Sequence, residues 1–73
     1  MTLANIPPGV SFKVLKVRLN KEIGKRLADM GFVSGVRGYI VRAGVLGGPL
    51  QVHIMGYEVV IRRFEASGIE VES

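Results

Sequence analysis

The stretch LQVHIMGYEVVI, residues 50–61, constrains the fold more than any other part of the chain. Leu50, Val52 and Ile54 alternate with Gln51, His53 and Met55; after Gly56, Tyr57, Val59 and Ile61 alternate with Glu58, Val60 and Arg62. A period of two marks a strand with one buried face. If Met55–Gly56 is a two-residue turn, Ile54 faces Tyr57, Val52 faces Val59 and Leu50 faces Ile61, all six inward. A slip of one residue would turn them all to water, so burial holds this register. Methionine is an odd choice for such a turn, which leaves room for a longer loop.

The flanking sequence supplies more short elements. Pro7, Pro8 and Gly9 punctuate the start, and ordered pairing is expected from Val10. In VSFKVLKVRL the apolar phase runs Val10, Phe12, Val14 and then switches to Leu15, Val17, Leu19, as at a bulge or barrel corner. Asn20 reads as a helix N-cap with Glu22 in the first turn, and Ile23, Leu27 and Met30 recur at helical spacing. Glu22 and Arg26 form a favourable i,i+4 pair. Gly31 is placed to close the helix in the left-handed conformation, letting Phe32 pack back on Leu27. Gly35–Ala43 is strand-like with apolar residues on both phases, VLGGP (45–49) is a loop, RFEASG (63–68) one helical turn, and Ile69–Val71 a last strand.

These elements predict a mainly β fold: a small SH3-like barrel of about five strands, with one short α-helix inserted after the first strand. An OB-like barrel is the nearest competitor and needs longer strands. At 73 residues the chain has room for one domain, spanning 1–73. A core of this size contributes only roughly 3–5 kcal/mol net, and with no cysteine neither a disulfide nor a thiolate zinc site can staple it. No basic leader and no apolar run of membrane-spanning length is visible, so no membrane insertion and a cytoplasmic location are expected.

The residues offer little chemistry. His53 is the only histidine, and Ser11, Ser34, Ser67 and Ser73 lie in no nucleophile motif. Glu58, Glu65, Glu70 and Glu72 are the acids left for a carboxylate pair, and Glu70 and Glu72 fall on the solvent phase of the last strand. No enzymatic activity is expected. His53 and Glu58 oppose each other in the hairpin register and are the weak metal candidates, but two ligands are not a site. No tightly bound cofactor is expected; a weak Fe2+ or Zn2+ association, through such pairs meeting at a dimer contact, is the most they offer.

GVLGGP lacks the following helix and the lysine of a phosphate cradle. What is unusual is Val45–Leu46 at its tip, two apolar residues that either fold back on the barrel or meet a partner. Charge is uneven as well: residues 1–45 hold eight basic and two acidic side chains, residues 46–73 two basic and four acidic. Lys13, Lys16, Arg18, Lys21, Lys25, Arg26, Arg37 and Arg42 could form a phosphate-binding stripe. Only Tyr39 and Phe64 are free to stack on bases, which disfavours a nucleic-acid partner.

Taken in order, RL and MGF, Gly35, VRAGVLGGPLQVHIMG, VVIRRFEA and IEVE resemble the FeoA family of small proteins associated with bacterial ferrous iron transport; LANIPPGVSFKV resembles the family's usual opening. Ser34 stands where such sequences often carry proline. A similar domain also closes metal-dependent repressors of the DtxR kind, so a stand-alone metal-linked regulatory domain is an alternative, as is a small basic barrel binding nucleic acid. The resemblance implies an SH3-like barrel that is an accessory of a FeoB-type membrane transporter, whose cytoplasmic part binds GTP, held at the inner membrane through that partner. The partner-binding candidates are then Val45 and Leu46 as apolar contacts, with Lys25, Arg26 and Arg37 steering; self-association is left open.

Overall fold

In the computed structural model, which describes residues 1–73, the strands are β1 (Ser11–Val17), β2 (Arg37–Ala43), β3 (Leu50–Ile54), β4 (Tyr57–Ile61) and β5 (Ile69–Glu72). Helix α1 (Lys21–Asp29) follows β1, and the single turn α2 (Arg63–Ala66) joins β4 to β5. The strands form one antiparallel sheet in the order β4-β3-β2-β1-β5. It wraps a single core of 14 buried hydrophobic residues, the SH3-like arrangement expected, open between β4 and β5 where α2 makes the link.

The hairpin takes its expected register: Leu50 pairs with Ile61, Val52 with Val59, His53 with Glu58 and Ile54 with Tyr57. Met55 (φ 55°) and Gly56 (φ 81°) are both left-handed, the geometry of a tight two-residue hairpin turn. A methionine is tolerated there because its side chain lies against Gly31: a Cβ on Gly31 would sit 2.6 Å from Met55 Cγ. Tyr57 departs from the expectation that all six residues are inward. It is 47% exposed and its hydroxyl donates to the Met30 carbonyl at 2.7 Å, tying the end of α1 to the hairpin.

The phase switch in β1 is a bulge. Pairing with β5 shifts between Val14 and Lys16, which leaves Phe12 and Val14 buried and turns Leu15 outward, contrary to the inward place expected for it. A second shift between Ile40 and Arg42 explains the mixed phases of β2, where Ile40 alone is fully buried. Asn20 caps α1 by accepting from the Ile23 amide at 2.9 Å. At the other end, Phe32 N–H bonds Leu27 C=O and Gly31 N–H bonds Ala28 C=O, with Gly31 at φ 110°, a Schellman closure. Leu27 and Phe32 are both buried in the core.

Order begins well before Val10. Leu3 and Ile6 are buried, Thr2 bridges to Glu70, and Val71 N–H donates to Met1 C=O at 2.9 Å. The prolines mark a turn inside this packed segment rather than the limit of order: Gly9 (φ 83°) follows Pro8, and Gly9 N–H reaches Ile40 C=O at 2.7 Å. Nor does Glu22 pair with Arg26. Both ion pairs are long-range, Arg18 with Glu70 and Arg26 with Glu65.

Candidate docking site

The β2–β3 connection is a hydrogen-bonded loop that carries its apolar tip into solvent. Ala43 opposite Leu50 closes its base, Gly44 N–H donates to Pro49 C=O at 2.8 Å, and Gly48 N–H donates to Val45 C=O at 3.0 Å. Gly44 and Gly48 permit this closeness, since a Cβ on Gly44 would lie 3.0 Å from the Gly48 backbone. Val45–Gly47 forms one 3-10 turn, with Leu46 at φ 53°, ψ 44°. Left-handed backbone costs a residue with a Cβ roughly 1–2 kcal/mol. Leu46 nevertheless takes it, and its side chain is fully exposed, with Val45 84% exposed beside it.

Arg63, the first residue of α2, supports this loop from below. Its guanidinium donates to Gly48 C=O and Gly44 C=O, each at 3.3 Å, spanning the two ends of the tip. Two residues on, Glu65 is 3% exposed. It accepts from the Arg62 amide at 2.9 Å and from the Arg26 guanidinium, so α2 is fastened to α1 on one side and to the loop on the other. Sequence reasoning missed both Arg63 and Glu65, because their partners lie 15 to 39 residues away. The local signal was a charged residue on each phase of a single helical turn.

The other candidate residues are scattered. Lys25 is exposed on α1, and Arg26, half-exposed, is committed to Glu65. Arg37 opens β2 while the tip follows its end, so roughly 20 Å of strand separates them, at ~3.3 Å per residue. The five expected docking residues therefore do not form one patch: Val45 and Leu46 stand together, and Arg37 lies at the far end of the sheet.

His53 and Glu58 are cross-strand neighbours, yet each has another partner. Glu58 accepts from Gln51 Nε2 at 2.6 Å, and the imidazole stacks on Tyr39 with ring centroids 4.8 Å apart. No group of three His, Asp or Glu side chains converges anywhere in the chain, so these residues do not fit a resident transition-metal site. No helix is long and apolar enough to cross a membrane.

Comparison with known proteins gives this geometry a context. All 73 residues match the FeoA domain. The chain is 35% identical over 72 residues to a Porphyromonas gingivalis protein, the Fe(2+) transport protein A/Fe(2+) transporter FeoB fusion protein, covering 99% of this chain and 8% of that one. The solution structure of iron(II) transport protein A from Clostridium thermocellum superposes with a TM-score of 0.92 at 35% identity, over 99% of this chain and 44% of that chain. The crystal structure of Stenotrophomonas maltophilia FeoA complexed with zinc, an SH3 domain protein, gives 0.86 at 33% identity, over 99% of this chain and 89% of that one. The chain thus spans a small part of the fusion protein and under half of the Clostridium chain. Its fold, its full-length match and these relatives agree: the chain belongs to the FeoA domain family, which is involved in ferrous iron transport.

Proposed function

We propose that the chain is an accessory of ferrous iron transport that docks on a FeoB-type transporter through the Val45–Leu46 tip, modulating it or aiding its assembly. The observation that carries this reading is Leu46, a fully exposed leucine in left-handed backbone on a loop whose base is fastened by Arg63. Strain held in place by its surroundings, at a residue that contributes nothing to the core, points to a use outside the fold. A relative that joins both transport proteins in one chain supports the choice of partner.

In this reading the tip inserts into an apolar recess of the transporter's cytoplasmic, GTP-binding part, and the protein sits at the inner membrane only through that contact. Lys25 and Arg37 contribute to a positive field that speeds encounter with an acidic surface. Arg26 acts through Glu65 instead, by holding α2 in place. With only His53 and Glu58 side by side, metal binding by this chain is weak and needs ligands from a second molecule.

The test is retention of the transporter from solubilised membranes by the tagged protein, at low and moderate salt, with Leu46→Asp and a nucleic-acid column in parallel. Salt-sensitive retention that disappears in Leu46→Asp, with an unchanged circular dichroism spectrum, is the expected result. Equal retention by the variant would remove the tip from the interface. Retention on nucleic acid alone, falling steeply with salt, would replace the transporter by a nucleic-acid partner.

A further inference from the structure

The two edges of the sheet are finished differently. At β5 the N-terminal segment covers the edge, through the Val71 N–H to Met1 C=O bond and the Thr2–Glu70 bridge. At β4 nothing does. In a hairpin closed by two residues, those flanking the turn exchange both bonds, and bonded pairs then recur at every second residue. The bonds to β3 therefore belong to Tyr57, Val59 and Ile61, and the N–H and C=O groups of Glu58 and Val60 point to the open side. Neither group enters any backbone bond outside the ladder.

Exposed edges are normally blunted by proline, by charged side chains and lysine above all, by a bulge, or by a helix or loop laid over them. Tyr57–Ile61 has no proline and no lysine, and it pairs with β3 without a register shift. Its outward face presents Glu58, then Val60 at 63% exposure, then Arg62 just beyond the strand. Negative, apolar and positive side chains are thus spaced evenly about Val60.

We propose that this edge pairs antiparallel with β4 of a second copy, on a two-fold axis through Val60. In that register Val60 faces Val60 and exchanges both backbone bonds, as the outward direction of its polar groups requires. Glu58 of each copy then opposes Arg62 of the other, and the two valines meet between the ion pairs. Charge selects this register. An axis at Glu58 sets carboxylate against carboxylate, one at Arg62 sets guanidinium against guanidinium, and one at Val59 leaves both charges opposite uncharged residues. The Arg62 amide already donates to Glu65 at 2.9 Å, so the shared ladder is short. The interface falls below the roughly 1,200 Å² of a standard stable contact, and the dimer is weak and reversible.

The experiment is sedimentation over a concentration series up to about 1 mM, combined with amide hydrogen exchange, on the wild type, Glu58→Arg, Arg62→Glu and the double exchange. The wild type should rise from the 7.9 kDa monomer toward twice that mass, with the Glu58 and Val60 amides gaining protection as it does. Each single reversal places two like-charged pairs in the interface and should weaken association about tenfold. The double exchange restores complementarity and should restore association. All four proteins should keep the same circular dichroism spectrum, since both side chains are exposed. A mass that stays at the monomer value with unprotected Glu58 and Val60 amides would overturn the proposal. So would a dimer indifferent to both reversals, or one the double exchange fails to rescue. Protection of these amides only when transporter-containing membranes are added would assign the edge to a strand of another protein instead.

Discussion

The Arg26 guanidinium on α1 donates to the buried carboxylate of Glu65 on α2, 39 residues further along the chain. Through that pair a helix inserted after the first strand is joined to the link between the two edge strands. Truncating Arg26 strands a buried charge, whereas truncating Glu65 leaves a half-exposed one that water can solvate. Glu65→Ala removes the acceptor of the Arg62 amide together with the ion pair, and should cost about 1–3 kcal/mol. Arg26→Ala leaves a carboxylate with 4% side-chain exposure without its charge partner, and should cost about 1–3 kcal/mol. The double variant should lose clearly less than the sum of the two, as urea titrations followed by circular dichroism would show.

Two glycines should respond to alanine with opposite signs. A Cβ at Gly24, inside α1, meets nothing nearer than 3.9 Å, so Gly24→Ala should stabilise by about 0.5–1 kcal/mol. At Gly38 it would stand 2.4 Å from the His53 carbonyl oxygen and 3.0 Å from the Phe12 ring. Gly38→Ala should therefore destabilise by about 1–3 kcal/mol through strain between β2 and β3. Thermal unfolding of both variants in one buffer checks the pair.

Leu46 should show stability and binding in opposition. Glycine relieves the left-handed strain at a position that packs against nothing, partly offset by its greater chain entropy, for a net gain of about 0.5 kcal/mol. The same Leu46→Gly change removes the exposed side chain and should weaken retention of the transporter. A fall in stability would show that Leu46 packs on the barrel.

Arg63→Ala should loosen the loop while leaving the barrel folded. Both carbonyls it binds flank the tip, so the Gly48 amide should exchange faster while β3 and β4 amides keep their protection. Lysine cannot span the two carbonyls as a planar fork does, and Arg63→Lys should behave like alanine.

Leu27 bears the docking of α1. It is fully buried, and a helix of nine residues is too short to persist alone in water. Leu27→Ala should cost about 2–5 kcal/mol, comparable to the whole stability of so small a domain, and leave the protein largely unfolded at 37 °C by circular dichroism.

What was legible in the amino acids had short reach. Alternation over residues 50–61 determined the hairpin and its register, because a strand's side chains repeat every two residues and burial tolerates no slip. The Asn20 cap, the Gly31 closure and the β1 bulge were likewise written in neighbouring residues, since each satisfies backbone groups within one turn or one strand. Val45–Leu46 stood out for its composition, although whether it faced solvent was open.

Tertiary structure alone decided the rest. Leu3 and Ile6 enter the core because the N-terminal segment lies along the β5 edge, a placement invisible until the sheet has an edge. Arg26 takes Glu65 rather than Glu22, four residues away, because a buried carboxylate must be compensated whereas an exposed pair on a helix is worth only a few tenths of a kcal/mol. The distance from Arg37 to the tip, and the left-handed backbone of Leu46, follow from how β2 and β3 are joined and from the Arg63 fork beneath them. Local pattern sets which elements form; which charges and edges are left over is set by what those elements bury when they close.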